Sequence, residues 1–144
     1  MSPVPSGGAV KASIIEVAAG LVFREGRLLL TQRQAGDHLG GLWEFPGGKR
    51  HADETFEQCL RRELEEELGI WVEVGALFEA IDWAYPEKTV HLRFYRCLWR
   101  QHEPRLLECQ AIAWVGPEQL GLYPFPAADA RLLDRLRNTP EIWL

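Results

Sequence analysis

The 144-residue sequence lacks the features that define several classes of protein. Its three cysteines, Cys59, Cys97 and Cys109, are odd in number, widely spaced, and without a C-x-x-C pair. This pattern indicates reduced thiols in a cytoplasmic protein rather than a disulfide framework or a zinc site. No stretch approaches about 18 uninterrupted apolar residues, so no membrane-spanning helix is predicted. The first residues show no signal-peptide pattern.

Positive charge is also scarce. Lys and Arg number 16 against 21 Asp and Glu, which leaves a net charge of -5. A surface that coats nucleic acid needs clustered excess Lys and Arg, so no nucleic-acid polymer is expected as a partner. A small anionic substrate remains compatible with this composition where a local cation offsets the repulsion.

Two common catalytic motifs are absent as well. The sequence has no G-x-S-x-G elbow of a serine hydrolase. The segment "FPGGKR" (45–50) contains Gly-Lys, but Trp43 stands where a phosphate-binding loop has its first glycine, and Arg50 replaces Ser or Thr. The histidines are scattered, and we expect surface or core roles for all four: His38, His51, His91 and His102.

The order of apolar runs and turns predicts a single α/β domain over residues 13–144, preceded by a flexible leader at 1–12. A central helix is predicted from an N-cap at Asp53 to Gly69, and a terminal helix over 126–138 opened by Pro126. "GPEQL" (116–120) is predicted to form a short helical turn. Strands are predicted at 13–23, 27–33, 70–82, 89–99 and 111–115. We expect a mixed sheet with helices on its two faces.

The central helix is crowded with glutamates in the segment "RRELEEELGI" (61–70). At about 100° per residue, Glu63 and Glu67 fall within the arc of the leucines, and Glu66 falls on the edge of that arc. Glu65 points away to water. A solvated acidic face would lie opposite the leucines, so this arrangement predicts that two or three carboxylates are partly buried.

Carboxylates inside an apolar face need a partner, because burying an unpaired charge costs several kcal/mol. Arg62 is within reach of Glu66 or a neighbouring carboxylate, but one arginine does not neutralise three charges. Helix geometry alone leaves two interpretations: a bound divalent cation or an ion-paired structural cluster. Carboxylate oxygens with water completing the shell would suit Mg²⁺ or Mn²⁺ rather than zinc.

The glutamate helix lies inside a longer pattern of fixed residues. The pattern runs from Gly48 through Glu54 to "RELEEELGI" (62–70). It resembles the signature of the Nudix hydrolase family at every specified position, and a chance match at a given start is on the order of one in a billion. "LWEFPGGK" (42–49) and "YPFPAADARLL" (123–133) are similar to the MutT branch. The resemblance implies a Nudix α/β/α sandwich with a mixed β-sheet and a catalytic loop-helix-loop between strands.

The resemblance also implies a set of metal ligands. Mg²⁺, with Mn²⁺ as a substitute, would be held by a backbone carbonyl at Gly47 and by the box glutamates Glu63, Glu66 and Glu67. Glu108, six residues before Trp114, is by the same resemblance a second-metal ligand or a general base.

Supporting roles follow from the same resemblance. Arg62 would orient the ligand glutamates by charge-assisted hydrogen bonds, and Glu54 would cap and brace the loop. The residue that takes the proton from the attacking water stays open among Glu54, Glu66, Glu67 and Glu108. Substrate-binding roles are implied for Arg33, Glu44 and Lys49.

Asp129 is the residue that we expect to contact the base. The MutT enzyme reads 8-oxoguanine with an asparagine near its terminal helix, and alignment on "AADARLL" (127–133) places Asp129 there. An ionised aspartate only accepts hydrogen bonds, so it would favour N–H-rich base edges and repel O6 unless protonated. The alternative interpretation is that Asp129 is a solvated helix residue.

The implied reaction is Mg²⁺-dependent hydrolysis of nucleoside triphosphates, such as 8-oxo-dGTP, to monophosphate and pyrophosphate by water attack on the β-phosphorus. Such an enzyme would clean the nucleotide pool as a cytoplasmic monomer or homodimer. The alternatives are a Nudix hydrolase of dinucleoside polyphosphates or nucleotide sugars, and a non-catalytic nucleotide-binding module. Modules of that kind usually lose box glutamates, which this sequence keeps.

Overall fold

The computed structural model describes residues 13–144, and the leader predicted at 1–12 lies outside the described residues. The strands are β1 (Ser13–Arg24), β2 (Arg27–Gln32), β3 (Trp43–Glu44), β4 (Gly47–Lys49), β5 (Trp71–Ala84), β6 (Lys88–Gln101) and β7 (Ala111–Val115). The α-helices are α1 (Phe56–Leu68) and α2 (Ala130–Arg137). Short 3-10 helices span Pro117–Leu122, Ala127–Asp129 and Pro140–Trp143. None of the helices in 13–144 combines the length and apolar character needed to cross a membrane.

The strands form one mixed sheet, as predicted. Its order is β3-β2-β1-β6-β5, with β4 paired to β1 and β7 paired to β2. β1 runs parallel to β6, whereas the other pairs are antiparallel. β5 and β6 extend a few residues beyond the predicted runs, because a tight turn closed by Tyr85 N–H and the Lys88 carbonyl at 2.7 Å keeps them paired.

Helices cover both faces of the sheet, which confirms the predicted α/β sandwich. On one face, α1 packs Leu60, Leu64 and Leu68 against Val22 and Leu29 of the sheet. On the other face, α2 and the C-terminal 3-10 helix pack against β1, β2, β5 and β6; the buried residues there include Leu21, Leu30, Phe94, Leu132, Leu136 and Trp143. The three cysteines are buried and unpaired.

The N-cap predicted at Asp53 is wrong: the cap of α1 is Thr55. The Thr55 hydroxyl accepts from the Gln58 N–H, and the Gln58 side chain accepts from the Thr55 N–H, which forms a capping box. The predicted C-terminus is confirmed at Gly69, which adopts the left-handed conformation with φ of 68°. The helix therefore begins two residues later than predicted, and the residues before it belong to a loop.

The terminal helix also begins later than predicted. Residues 127–129 form a 3-10 turn after Pro126, and α2 starts at Ala130. Arg131 and Arg135 attach α2 to β5, since each lies 3.6 Å from a carboxylate oxygen of Glu79. Their guanidinium groups also donate to carbonyls of β5. These contacts hold the start of α2 against residues 78–80 of β5.

Candidate active site

The glutamates of α1 lie on two different sides of the helix. Glu67 is 7% exposed and the side chain of Glu63 is 17% exposed, whereas that of Glu66 is 51% exposed. Glu65 is exposed. The side chains thus follow the helical spacing, and two carboxylates share the side of the buried leucines.

Glu67 lies beside the turn before β4, and it forms no ion pair with any residue of the described range 13–144. Its Oε1 accepts a hydrogen bond from the Gly47 N–H at 3.3 Å. Burial, together with the negative charges of Glu44, Glu63 and Glu108, raises the pKa of Glu67 to about 8. Acidic side chains from three parts of the chain, namely β3, α1 and the segment between β6 and β7, therefore lie near one another.

Glu63 packs against the backbone of β4. A Cβ added to Gly48 would lie 2.3 Å from the Glu63 Cδ and within 2.6 Å of both carboxylate oxygens. β4 is in turn held at its place by pairing with β1, through Ala18 opposite Gly48 and Ala19 opposite Gly47. Gly48 thus leaves the space that the Glu63 carboxylate occupies.

Arg62 forms hydrogen bonds with three glutamates and with the backbone of β4. Its Nε and Nη2 donate to the two carboxylate oxygens of Glu54 at 3.1 and 2.6 Å. Its Nη1 donates to Glu63 at 2.9 Å and to Glu66 at 3.1 Å, and Nη2 donates to the Lys49 carbonyl at 3.1 Å. Hydrogen bonding to Arg62 lowers the pKa of Glu54 to about 2, with a further contribution from a backbone N–H.

The acidic side chains are close, but they do not form a complete metal cage. Glu63 and Glu66 are turned toward Arg62, and Glu108 is exposed in the segment between β6 and β7. Across residues 13–144, no three His, Cys, Asp or Glu side chains stand at metal-binding spacing. Arg62 engages one oxygen of Glu63 and one of Glu66, so a cation at Glu67 would have to be met by the other oxygen of each carboxylate.

Arg33 and Glu44 form an ion pair at the edge of this region. The Arg33 Nη1 lies 3.0 Å from the Glu44 Oε1, and its Nε donates to the His38 carbonyl in the following loop at 2.7 Å. Burial raises the pKa of Glu44, and Arg33 opposes this shift. Lys49 is exposed, and its ammonium forms no ion pair with residues 13–144. These two cations border the acidic region without neutralising Glu67.

Asp129 is buried, so the interpretation as a solvated helix residue is wrong. It is 7% exposed, and burial together with the charge of Glu44 raises its pKa to about 7. Glu44 acts on both Asp129 and Glu67. It is therefore close enough to influence both the predicted base contact and Glu67 of α1.

An apolar strip of the sheet lies on the same face as α2. Ile15 and Val17 of β1 are paired with Val90 and Leu92 of β6, and Trp83 of β5 is paired with Val90. Alternation along each strand places all five on the face that carries the buried Ala19 and Phe94. None of the five is fully buried. The strip provides a partly open, apolar floor beyond the helix-covered core.

Comparison with known proteins decides the family. The NUDIX domain model matches residues 18–135. The chain belongs to the Nudix family. It is similar to the 8-oxo-dGTP diphosphatase of Haemophilus influenzae, with 44% identity over 87% of this chain and 93% of that protein. It is also similar to the CTP pyrophosphohydrolase of Escherichia coli, with 39% identity over 84% and 90%.

A solved structure agrees with these sequence relatives. The MutT protein from Methanosarcina mazei superposes with a TM-score of 0.80 and 25% identity, covering 89% of this chain and 96% of that one. The chain is therefore a Nudix hydrolase of the MutT type, an enzyme of a family that generally uses a divalent metal ion.

Arg50 is a supporting residue of this Nudix hydrolase that the sequence did not reveal. Its guanidinium pairs with Glu16 of β1, donates to the Glu54 carbonyl at 2.7 Å, and stacks on Phe56 at 5.2 Å from the ring centroid. It thus ties the loop before α1 to the sheet. Arg50 lies at an unspecified position of the motif, and its partner Glu16 is 34 residues away, so no local pattern signals this role.

Proposed function

We propose that this Nudix hydrolase uses Mg²⁺, with Mn²⁺ as a substitute, to convert nucleoside triphosphates with oxidised or modified bases to monophosphates and pyrophosphate. The supporting observation is the buried Glu67, which faces three other carboxylates and has no cationic partner within residues 13–144. A polyphosphate is negatively charged, and so is this group of glutamates. A dication bound between the two would neutralise charge on both.

The donor chemistry of the region fits such a cation. Carboxylate oxygens of Glu63, Glu66, Glu67 and Glu108 are hard ligands, and the Gly47 carbonyl would add an oxygen without charge. Bound Mg²⁺ would supply charge neutralisation and activate water for attack on the β-phosphorus. The bond from that phosphorus to the α–β bridging oxygen breaks, and the monophosphate leaves with the oxygen.

The chain's own residues divide the remaining work. Lys49 and Arg33 border the acidic region and are proposed to bind phosphate oxygens. Arg62 positions the ligand glutamates, because its fork engages Glu63 and Glu66 as well as Glu54. Glu54 is a poor base for water, since Arg62 binds both of its oxygens and holds its pKa near 2. The residue that accepts the proton of the attacking water is therefore Glu66, Glu67 or Glu108.

The proposed substrate class follows from the relatives and from Asp129. One relative carries the name 8-oxo-dGTP diphosphatase and another the name CTP pyrophosphohydrolase. A buried carboxyl with a pKa of about 7 can serve both bases. Protonated, it donates to O6 of an oxidised guanine and accepts from the ring N–H; ionised, it accepts from the cytosine amino group. We therefore propose both oxidised purine and cytosine triphosphates as substrates.

The test is pyrophosphate release from a panel of triphosphates in Mg²⁺, with EDTA as the control. We expect turnover of 8-oxo-dGTP or CTP that stops on chelation and returns with Mg²⁺ or Mn²⁺. Turnover of dinucleoside polyphosphates or nucleotide sugars instead would replace the proposed substrate class. Binding without turnover of any compound would identify a non-catalytic module. A single domain at 13–144, a cytoplasmic location and a monomeric or homodimeric state remain part of the proposal.

The pKa of Asp129 gives a prediction about pH. Its ordinary pKa of 3.8 is raised to about 7, so the residue is mostly neutral at pH 6 and mostly ionised at pH 8. The ratio of kcat/KM for CTP over that for 8-oxo-dGTP is therefore expected to rise by roughly 10-fold or more between these values. Taking the ratio removes the pH dependence of the shared chemistry.

Asp129→Asn is the matched variant for this experiment, because the amide has the same shape and does not titrate. Its substrate ratio should stay within about 2-fold from pH 6 to pH 8 and should resemble the wild-type ratio at the acidic end. A ratio that rises equally in both proteins would exclude Asp129 as the group that selects the base.

A further inference from the structure

The loop that precedes α1 lies on the surface and has no fully buried side chain. Its residues at 51–53 are exposed, and Glu54 is partly buried. A loop without apolar anchors keeps its conformation largely through hydrogen bonds. This conformation bears on the site, because the carboxylate of Glu54 binds the guanidinium of Arg62 through both oxygens.

Arg50 supplies two hydrogen bonds to the backbone of this loop. Its Nη1 donates to the Glu54 carbonyl at 2.7 Å and to the His51 carbonyl at 3.3 Å, so one guanidinium group joins both ends of the turn. The Glu54 N–H donates to the same His51 carbonyl at 3.2 Å, and the His51 N–H donates to the Glu54 Oε1 at 2.9 Å. Glu54 is therefore held by its backbone as well as by its carboxylate.

The sheet fixes the position of Arg50. The Arg50 N–H donates to the Glu16 carbonyl at 2.8 Å, which continues the contact between β4 and β1 beyond Lys49. The Arg50 Nε donates to the Glu16 Oε1 at 3.0 Å, and Nη2 pairs with the same oxygen. The ring of Phe56, the first residue of α1, packs against the guanidinium. Contacts with β1 and α1 thus set the orientation of the group that holds the loop.

Arg62 connects the loop to the proposed metal ligands. Its Nε and Nη2 bind the carboxylate of Glu54, and its Nη1 donates to Glu63 and Glu66. A continuous series of contacts therefore runs from β1 through Arg50 and Glu54 to Arg62 and two of the ligands. A displacement of the loop would reach the glutamates of α1 by this route.

We propose that Arg50 is a positioning residue: it holds the backbone of Glu54 so that the Glu54 carboxylate keeps Arg62 in the orientation that directs the ligand glutamates toward the metal. This inference rests on the proposed function, because it takes those glutamates to bind a dication. The Nudix motif leaves position 50 unspecified, so the motif itself assigns this residue no role.

The experiment compares Arg50→Gln with the wild type by three measurements: the affinity for Mn²⁺ from the electron paramagnetic resonance signal of the free ion, kcat and KM for 8-oxo-dGTP and CTP, and the NMR signal of the Arg62 Nε–H in the metal-free protein. Loss of a group that orients metal ligands typically costs 10- to 100-fold, so Mn²⁺ affinity and kcat should each fall by roughly 10-fold. KM at saturating Mg²⁺ should stay within about 3-fold. The Arg62 signal should shift, because the carboxylate that binds it is displaced.

Arg24→Gln is the matched control. The side chains of Arg24 and Arg50 are 26% and 23% exposed, and Arg24 likewise pairs with a glutamate, Glu103, and packs on aromatic rings. These contacts lie outside the loop and the acidic region. The control should lower Tm about as much as Arg50→Gln, keep Mn²⁺ affinity and kcat within about 2-fold of wild type, and leave the Arg62 signal in place. Equal losses of Mn²⁺ affinity and kcat in the two variants would overturn the inference, because a general loss of stability would then account for them.

A second substitution tests the route through Glu54. If Arg50 acts through this carboxylate, adding Arg50→Gln to Glu54→Gln should lower Mn²⁺ affinity by less than about 3-fold, since the interaction that Arg50 supports is already weakened. A full 10-fold loss in that background would show that Arg50 affects the site by another route and would overturn the inference.

Failure of the proposed function would be recognised separately. If the wild type hydrolyses no triphosphate, the metal-free NMR measurement still tests the positioning of Arg62. A shifted Arg62 signal in Arg50→Gln but not in Arg24→Gln would support the inference in a protein without this activity. An unchanged signal in Arg50→Gln would overturn it, whatever the protein hydrolyses.

Discussion

Replacing Glu67 with Gln is expected to lower kcat by roughly 10³-fold or more, because a charge that would hold the activating dication contributes several kcal/mol to the transition state. Glu67 is the most buried of the box glutamates and faces Glu44, Glu63 and Glu108 without a cationic partner in residues 13–144. The amide keeps the shape and the hydrogen bond from Gly47 but removes the charge.

The same substitution should leave the fold intact. Burial raises the pKa of Glu67 to about 8, so the metal-free carboxyl is largely neutral at pH 7 and an amide replaces it with little change. Thermal unfolding in EDTA should therefore give Tm values within a few degrees of each other. In Mg²⁺, the wild type should gain stability that the variant does not, since a ligand that binds the folded state stabilises it.

Glu65→Gln is the control on the same helix. Glu65 is exposed and points away from the acidic region, so this substitution removes the same charge from α1 without touching the site. It should keep kcat within about 2-fold of wild type. Near-normal turnover by Glu67→Gln, or an equal loss in both variants, would contradict the placement of the metal at Glu67.

The sides of α1 were predictable because helix periodicity is a local property of the sequence. Residues 56–68 are spaced so that Glu67 and Leu64 face inward and Glu65 faces water, whatever the rest of the fold does. The N-cap was not predictable in the same way. Asp53 and Thr55 are both suitable N-cap residues. Thr55 is the N-cap in the structure because Gln58, three residues later, completes a capping box with it.

Contacts between distant parts of the chain account for what the sequence did not reveal. Asp129 and Glu44 are 85 positions apart, and nothing in either segment signals that they are neighbours. The burial of Asp129 depends on a 3-10 turn before α2 and on the attachment of α2 to Glu79. The motif thus predicted the glutamates of the site, whereas the surroundings of Asp129, the expected nucleobase contact, could be seen only in the tertiary fold.

Replacing Gly48 with Ala is expected to lower kcat by about 100-fold through Glu63, since displacement of a group that positions a metal typically costs 10- to 100-fold or more. The added Cβ would lie 2.3 Å from the Glu63 Cδ, closer than any real contact allows. The end of a flexible side chain moves more easily than the backbone of β4, so the carboxylate should swing away while the fold persists. Gly36→Ala is the control, because nothing lies within 4 Å of a Cβ at that position.

A double-mutant cycle separates displacement of Glu63 from general damage to β4. If Gly48→Ala acts through the carboxylate, then adding it to Glu63→Gln should cost less than about 3-fold, since the group that it displaces is already disabled. A full 100-fold loss in that background would show that the methyl group harms the site by another route. Circular dichroism and Tm of the four proteins would reveal unfolding. Strong coupling with unchanged Tm would place Glu63 in the catalytic centre and identify Gly48 as the residue that leaves room for it.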